Sequence, residues 1–169
     1  MRLIKPRRLR FRGFLDECFP DTFDGRSYFK QLPHFRYLAY QDEKIVGQLG
    51  IDHRVINIEG KIVRIFGLID LCVLPAYRRS GIASNLLHTA EMQARRAQVD
   101  FLVLMGDNDT IYKAHGFNRV SPAMTKWLAV ENVESVSIIE RDLADFFLVK
   151  SLSAEEWPKG KIDMLGYLF

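Results

Sequence analysis

The sequence is poor in cysteine, and this scarcity argues against two classes of protein. Its 169 residues contain two cysteines, Cys18 and Cys72, which lie far apart and form no C-x-x-C pair. A disulfide-stabilised secreted domain and a cysteine-based zinc site both need more cysteines at closer spacing. We therefore expect two packed thiols in a reducing compartment, no metal site and a cytoplasmic protein.

Long apolar segments are also absent. No run approaches the roughly 20 apolar residues of a membrane-spanning helix. The first residues lack the apolar core and small-residue cleavage site of a secretory signal. The composition, 48% hydrophobic and 27% charged, is ordinary for a globular protein. We expect one domain over residues 1–169, with a sizeable core and no membrane partner.

Charge is only mildly one-sided, with a net charge of +3 and a pI near 8.9. Six of the first twelve residues are cationic, but apolar residues at helical spacing run through the same segment. We interpret the cations as the exposed face of a helix and expect no nucleic-acid partner. A nucleic-acid-binding arm or an organelle presequence is the alternative interpretation of these charges.

Hydrophobic periodicity predicts a mixture of helices and strands. Helices are predicted over residues 6–19, 26–32, 82–97 and 106–115, and strands over residues 1–4, 36–40, 45–58, 61–74, 101–105, 120–130, 136–139 and 146–150. The order strand, helix, strand between residues 61 and 105 implies a right-handed crossover between parallel strands. The predicted class is α+β, a central mixed and mostly antiparallel sheet with one parallel β-α-β crossover, flanked by helices.

The glycine-rich nucleotide motifs are missing, although one stretch is suited to a phosphate. Residues 67–83, G-L-I-D-L-C-V-L-P-A-Y-R-R-S-G-I-A, are typical of a buried strand, a turn and a helix N-terminus. The first amides of a helix lack internal partners, and the helix dipole favours an anion there. Arg78 and Arg79 add positive charge, and Gly81 allows the backbone to approach a ligand closely. A P-loop needs G-x-x-x-x-G-K-[ST], which is absent here. A dinucleotide fingerprint needs three glycines, and this turn has only Gly81. Neither motif therefore accounts for the predicted phosphate site.

Two motifs in this region resemble those of a known family. Residues 78–83, R-R-S-G-I-A, meet the pattern Q/R-x-x-G-x-G/A, and V-L-P-A-Y precedes them. Residues 112–117, Y-K-A-H-G-F, are similar to the Y-x-x-x-G-F that closes a second motif of the same family. Over about residues 35–120 the chain therefore resembles the GNAT N-acetyltransferases, whose acyl-CoA signature is the first pattern. The resemblance implies the GNAT acyl-CoA N-acyltransferase fold.

The resemblance also implies acetyl-CoA as the co-substrate, with pyrophosphate on the helix N-terminus and pantetheine along the preceding strand. The implied CoA-binding residues are Leu71, Cys72, Val73, Arg78, Arg79, Ser80, Gly81, Ile82 and Ala83. Backbone amides of the strand would polarise the thioester carbonyl, as in an oxyanion hole. An amine then attacks directly, without a covalent enzyme intermediate, and Cys72 is expected to be a packed thiol.

Tyr112 and Asp70 are the candidate catalytic residues. The resemblance places a general acid at Tyr112, and a phenol is protonated at neutral pH and can donate to the departing CoA thiolate. A tyrosine that only packs is the alternative. Asp70 is the only charge between Ile65 and Leu74, where a carboxylate is costly unless it is paired or used. It is predicted to be a base, an anchor for a cationic amine, or the structural partner of an arginine.

Weaker likenesses point to the acceptor. Residues 63–117 and the tail segment E-W-P-K-G-K-I-D are similar to aminoglycoside 2'-N-acetyltransferases and nodulation acyltransferases. They imply a small-molecule amine acceptor between the loop at residues 21–24 and the C-terminal tail. The residues predicted to attract a cationic acceptor are Asp21, Asp24, Asp70 and the carboxylate of Phe169. Turn and cap roles for Asp21 and Asp24 are the alternative.

The leading prediction is therefore an acetyl-CoA-dependent N-acetyltransferase that acts on a primary amine as a monomer or homodimer. Two other functions stay open. A non-catalytic acyl-CoA-binding module would keep the CoA turn without an acceptor site. A long-chain acyltransferase would need a pocket for its acyl chain.

Overall fold

A computed structural model of the chain describes residues 8–23, 25–28, 32–106, 110–121, 124–132 and 135–169. The predicted strand at residues 1–4 and the candidate cap Asp24 lie outside these residues. The elements, in chain order, are α1 (Arg8–Cys18), β1 (Phe35–Gln41), β2 (Lys44–Ile58), β3 (Lys61–Val73), a 3-10 turn (Pro75–Tyr77), α2 (Ile82–Arg96), β4 (Phe101–Met105), α3 (Thr110–Ala114), β5 (Asn118–Arg119), β6 (Thr125–Asn132), β7 (Ser135–Arg141), β8 (Phe147–Ser151) and β9 (Ile162–Tyr167). None of the described helices is long and apolar enough to span a membrane.

The described strands form one mixed sheet in the order β5-β8-β4-β3-β2-β9-β6-β7, with β1 paired to β2. β3 and β4 are parallel and are joined through α2, so the predicted crossover is confirmed. The other described pairs are antiparallel, except that β9 lies parallel to β6. This second parallel pair joins the C-terminal strand to the middle of the sheet, and no local pattern in the sequence predicted it.

The parallel strands β3 and β4 separate part-way along their length. They are in register from Ile65 with Phe101 to Leu68 with Leu104. β3 then continues to Val73, and its last residues pair with β2, Cys72 opposite Gln48 and Val73 opposite Gly47. Among the described strands, none pairs with the opposite edge of β3 over residues 69–73. The sheet is therefore open beside the strand that leads into α2.

Helices cover both faces of the sheet. On one face, the apolar side of α2 packs against β2 and β3 through a cluster that includes Leu86, Leu49 and Phe66. On the other face, α1 packs with a second cluster that includes Leu15 and Val46. Neighbouring residues of a strand point to opposite faces, which is how Val46 and Leu49 reach different helices.

Two predicted elements are wrong in part. A helix over residues 26–32 is not formed at residues 26–28 or at Leu32, which are irregular. The carbonyl of Ser27 accepts a hydrogen bond from the Arg36 guanidinium instead of a helical amide. The strand predicted over residues 120–130 is also wrong in its first part. β5 ends at Arg119, at one edge of the sheet, and β6 begins only at Thr125, between β9 and β7.

Candidate active site

The turn between β3 and α2 presents an uncapped helix N-terminus. Gly81 is the N-cap residue of α2, and its φ of +83° puts it in the left-handed region that glycine tolerates best. No side chain caps this end, and the helical bonding starts with the Asn85 amide donating to the Gly81 carbonyl at 3.0 Å. The earlier amides therefore have no partner within the helix, and the dipole makes them a suitable seat for an anion.

Side chains of the turn hold its shape. The Arg78 Nε donates to the Val73 carbonyl at 3.2 Å, and the Ser80 hydroxyl donates to the Tyr77 carbonyl at 2.5 Å. Arg79 has a φ of +60°, so the backbone turns sharply before Gly81. Both arginines are exposed beside the helix end. The turn therefore combines backbone donors with two cations, an arrangement that suits a phosphate or pyrophosphate.

The open part of β3 carries a β-bulge at Asp70. Gln48 pairs with Cys72 and Gly50 pairs with Ile69, which leaves two β3 residues opposite a single β2 residue. Asp70 accordingly has a φ of +51°, which is uncommon for a residue with a side chain. The fully buried Gln48 donates from Nε2 to the Asp70 carbonyl at 2.7 Å and so supports the bulge. Its Oε1 has no hydrogen-bond partner in the described part of the chain.

The charge of Arg36, on β1, acts on the Asp70 carboxyl. Burial raises the pKa of Asp70, and the positive charge of Arg36 opposes that rise. Burial in turn lowers the pKa of Arg36, and the negative charge of Asp70 opposes the fall. The guanidinium is held in place by the Phe11 ring, whose centroid lies 5.0 Å from Cζ. Asp70 thus has an arginine neighbour from β1, a pairing that the sequence left open.

Cys72 lies in the same strand but is poorly suited to nucleophilic attack. Its side chain is buried, and burial strongly raises the pKa of the thiol, so the reactive thiolate is disfavoured. The Cys18 thiol at the end of α1 contacts it, and both cysteines belong to the cluster beneath α1. Both are free thiols.

Tyr112 lies on α3, close to the start of α2. Its ring packs edge-on against Phe117, with centroids 5.9 Å apart, and burial raises the pKa of its hydroxyl. The hydroxyl therefore stays protonated near neutral pH, as a proton donor requires. His115 Nε2 lies 3.0 Å from the Ser84 hydroxyl and links α3 to the first turn of α2.

Comparison with known proteins decides the family. A family model described as an acetyltransferase (GNAT) domain matches residues 8–120, about two thirds of the chain. The chain belongs to the GNAT acetyltransferase family. No curated protein sequence matches it significantly.

Solved structures share the GNAT fold of this chain at low identity. A GNAT family N-acetyltransferase from Escherichia coli, in complex with CoA, superposes with a TM-score of 0.67 at 16% identity, covering 95% of this chain and 86% of that one. A GNAT family acetyltransferase from Brucella melitensis, in complex with acetyl-CoA, gives 0.60 at 19% identity, with coverages of 95% and 92%. The ribosomal-protein-S18-alanine N-acetyltransferase from Escherichia coli gives 0.60 at 12% identity, with coverages of 92% and 94%.

The predicted acceptor residues of this GNAT domain are not all brought together. Asp21 is exposed in the turn after α1, with a φ of +59°, and no described contact joins it to Asp70. The ring of Phe169 packs over Gly67, where an added Cβ would lie 2.8 Å from it. Phe169 thus lies against β3, on the strand that carries Asp70 three residues later.

Sequence reasoning missed a polar group on the GNAT sheet beside Gly67. Asp52 is 2% exposed on β2 and is paired with Arg54 and with His34, just before β1. A charged residue within a buried strand was the available signal, the same one that identified Asp70. No described group of three or more His, Cys, Asp or Glu side chains is arranged to hold a metal ion.

Proposed function

We propose that this chain transfers an acetyl group from acetyl-CoA to the primary amine of a small, cationic, aminoglycoside-like acceptor. The observation that carries the proposal is the adjacency of an open β3 edge and the uncapped α2 N-terminus, joined by a short turn. CoA needs both features, because its pyrophosphate is an anion and its pantetheine arm carries amides that pair like a strand. Two structures with the same fold contain CoA or acetyl-CoA.

The donor would lie along β3 and continue along the turn that leads into α2. We place the pyrophosphate on the amides of residues 79–83, with Arg78 and Arg79 adding charge. We place the pantetheine beside the backbone of Leu71, Cys72 and Val73. The thioester would then lie near the bulge at Asp70, on the part of β3 that pairs only with β2 among the described strands.

The reaction would be a direct displacement. The lone pair of the acceptor nitrogen attacks the thioester carbonyl, the C–N bond forms and the C–S bond breaks. Tyr112 protonates the sulfur of the departing CoA, which its protonated hydroxyl is suited to do. Neither the geometry nor the burial of Cys72 favours a covalent intermediate on the enzyme.

The acceptor would bind on the α1 side of the sheet. Asp70 is proposed to hold or deprotonate a cationic amine, with Arg36 limiting how far its pKa rises. Asp21, Asp24 and the Phe169 carboxylate are proposed to add negative charge around the entrance. We further propose that residues 1–169 form one domain, and that it acts in the cytoplasm as a monomer or homodimer.

The test is release of free CoA thiol from acetyl-CoA, screened over aminoglycosides, polyamines, amino acids and peptides. Thiol release that depends on a cationic amine, with the acetylated product found by mass spectrometry, is the expected result. If acetyl-CoA raises the melting temperature but no acceptor gives turnover, the chain is a binding module and the proposed activity is wrong. Turnover only with long-chain acyl-CoA would show that a long acyl chain, and not acetyl, is the group transferred.

A further inference from the structure

A histidine and a buried aspartate form a pair on the face of the sheet that the acceptor would use. His34 Nδ1 lies 2.5 Å from Asp52 Oδ1. The His34 side chain is 58% exposed, whereas that of Asp52 is 2% exposed. A carboxylate that accepts from Nδ1–H leaves the lone pair on Nε2, which is the tautomer of a proton acceptor.

The Asp52 carboxylate is fixed from its other side. Its second oxygen is paired with the Arg54 guanidinium, which also donates to the carbonyl of Tyr167. The same guanidinium lies 5.8 Å from the centroid of the Phe169 ring. The C-terminal segment therefore holds Arg54, Arg54 holds Asp52, and Asp52 sets the orientation of the imidazole.

Strand register places this pair beside the proposed acceptor site. Asp52 is the register partner of Gly67 on β3. Gly67 faces the Phe169 ring and stands three residues before Asp70, about 10 Å along the strand. The pair lies on the α1 side of the sheet, as do Phe169 and Arg36, while α2 covers the opposite side.

We propose that His34 is the general base for the acceptor and that Asp52 is its positioning residue, which leaves Asp70 as the anchor of the cationic amine. This rests on the proposed acetyl transfer. The ammonium proton of the acceptor passes to His34 Nε2 through a chain of waters and frees the lone pair that attacks the thioester. The C–N bond forms, the C–S bond breaks, and the sulfur takes a proton from Tyr112. His34 then releases its proton to solvent, which its exposure allows.

The experiment measures kcat and KM for one amine acceptor, with and without added imidazole, in wild type, His34→Gln, Asp52→Asn and the control His88→Gln. His88 is exposed on α2, so its variant should match wild type. His34→Gln should lower kcat/KM about 100-fold, at the lower end of general base contributions. Added imidazole should restore part of that rate, and KM for acetyl-CoA should be unchanged. Asp52→Asn should lower kcat/KM by less than His34→Gln does, because the imidazole is still present.

Two outcomes overturn the inference, and they are distinct from each other. If wild type releases CoA and His34→Gln keeps the wild-type rate, His34 is not the base, although the acetyl transfer stands. A lower melting temperature of His34→Gln with a rate that imidazole does not restore has the same meaning. If wild type releases no CoA with any amine, the proposed function and this inference fail together. His34→Gln alone suffices where Asp52→Asn does not fold, because His34 is largely exposed.

Discussion

At the scale of single residues, the site depends on which protonation state burial favours. Burial raises the pKa values of Asp70 and Tyr112 alike, but the consequences differ. A tyrosine with a raised pKa is a more persistent proton donor, since it keeps its proton well into alkaline pH. A carboxyl with a raised pKa is closer to neutral, and Arg36 is the group that keeps Asp70 able to carry charge.

Replacing Tyr112 with phenylalanine tests the acid role. The ring and its contact with Phe117 stay, while the proton donor is lost. We expect kcat to fall by about 100-fold or more, as removal of a general acid does, with little change in acetyl-CoA binding. Tyr40→Phe is the control, because Tyr40 is 47% exposed at the end of β1. Equal kcat values for the two variants would remove Tyr112 from the mechanism.

Some site residues could be predicted from the sequence and others could not. Asp70 stood out because it is a lone charge in an apolar run, and its position depends on local strand structure. Asp52 is likewise a charged residue within an apolar strand. Its contacts with His34 and Arg54 form only when β1, β2 and the C-terminal segment lie side by side. Contacts between distant segments have no signature in a single sequence.

At the scale of elements, the turn before α2 is the proposed binding site of the donor pyrophosphate. Gly81 and Gly60 both have a positive φ, +83° and +89°, and a Cβ added to either would meet no atom within 4 Å. Alanine at either position should cost about 1–2 kcal/mol of stability through backbone strain alone. Only Gly81→Ala should also raise KM for acetyl-CoA, because its methyl group would stand where the pyrophosphate approaches.

Gly60→Ala is a matched control, since Gly60 lies in the turn between β2 and β3. Both variants should lose similar amounts in thermal unfolding. Equal KM values for acetyl-CoA in the two variants would show that the α2 N-terminus does not hold the donor.

Local sequence signals correctly predicted the elements that are proposed to bind the donor. The β3-α2-β4 unit follows from two continuous apolar strands and a helical stripe between them. The signals failed at residues 26–28, where the Arg36 side chain takes a carbonyl that a helix would use. They failed again at the start of the strand predicted over residues 120–130, because β6 begins only at Thr125.

At the scale of the whole molecule, the sheet brings the two ends of the chain to the same site. Phe11 of α1 contacts the Arg36 guanidinium of β1, whose charge acts on Asp70, and the C-terminal Phe169 covers Gly67. β9 lies between β2 and β6. Its place in the sheet depends on long-range pairing that composition and periodicity do not encode.

The central claim, that acetyl-CoA lies along β3 and the α2 N-terminus, is tested most directly by amide hydrogen exchange. Exchange is followed residue by residue with and without saturating acetyl-CoA, and the β6–β7 hairpin serves as the internal reference. We predict slower exchange at residues 71–73 and 79–83, with no change in the hairpin. Binding that protects other segments and leaves these amides unaltered, or no binding at all, would contradict the claim.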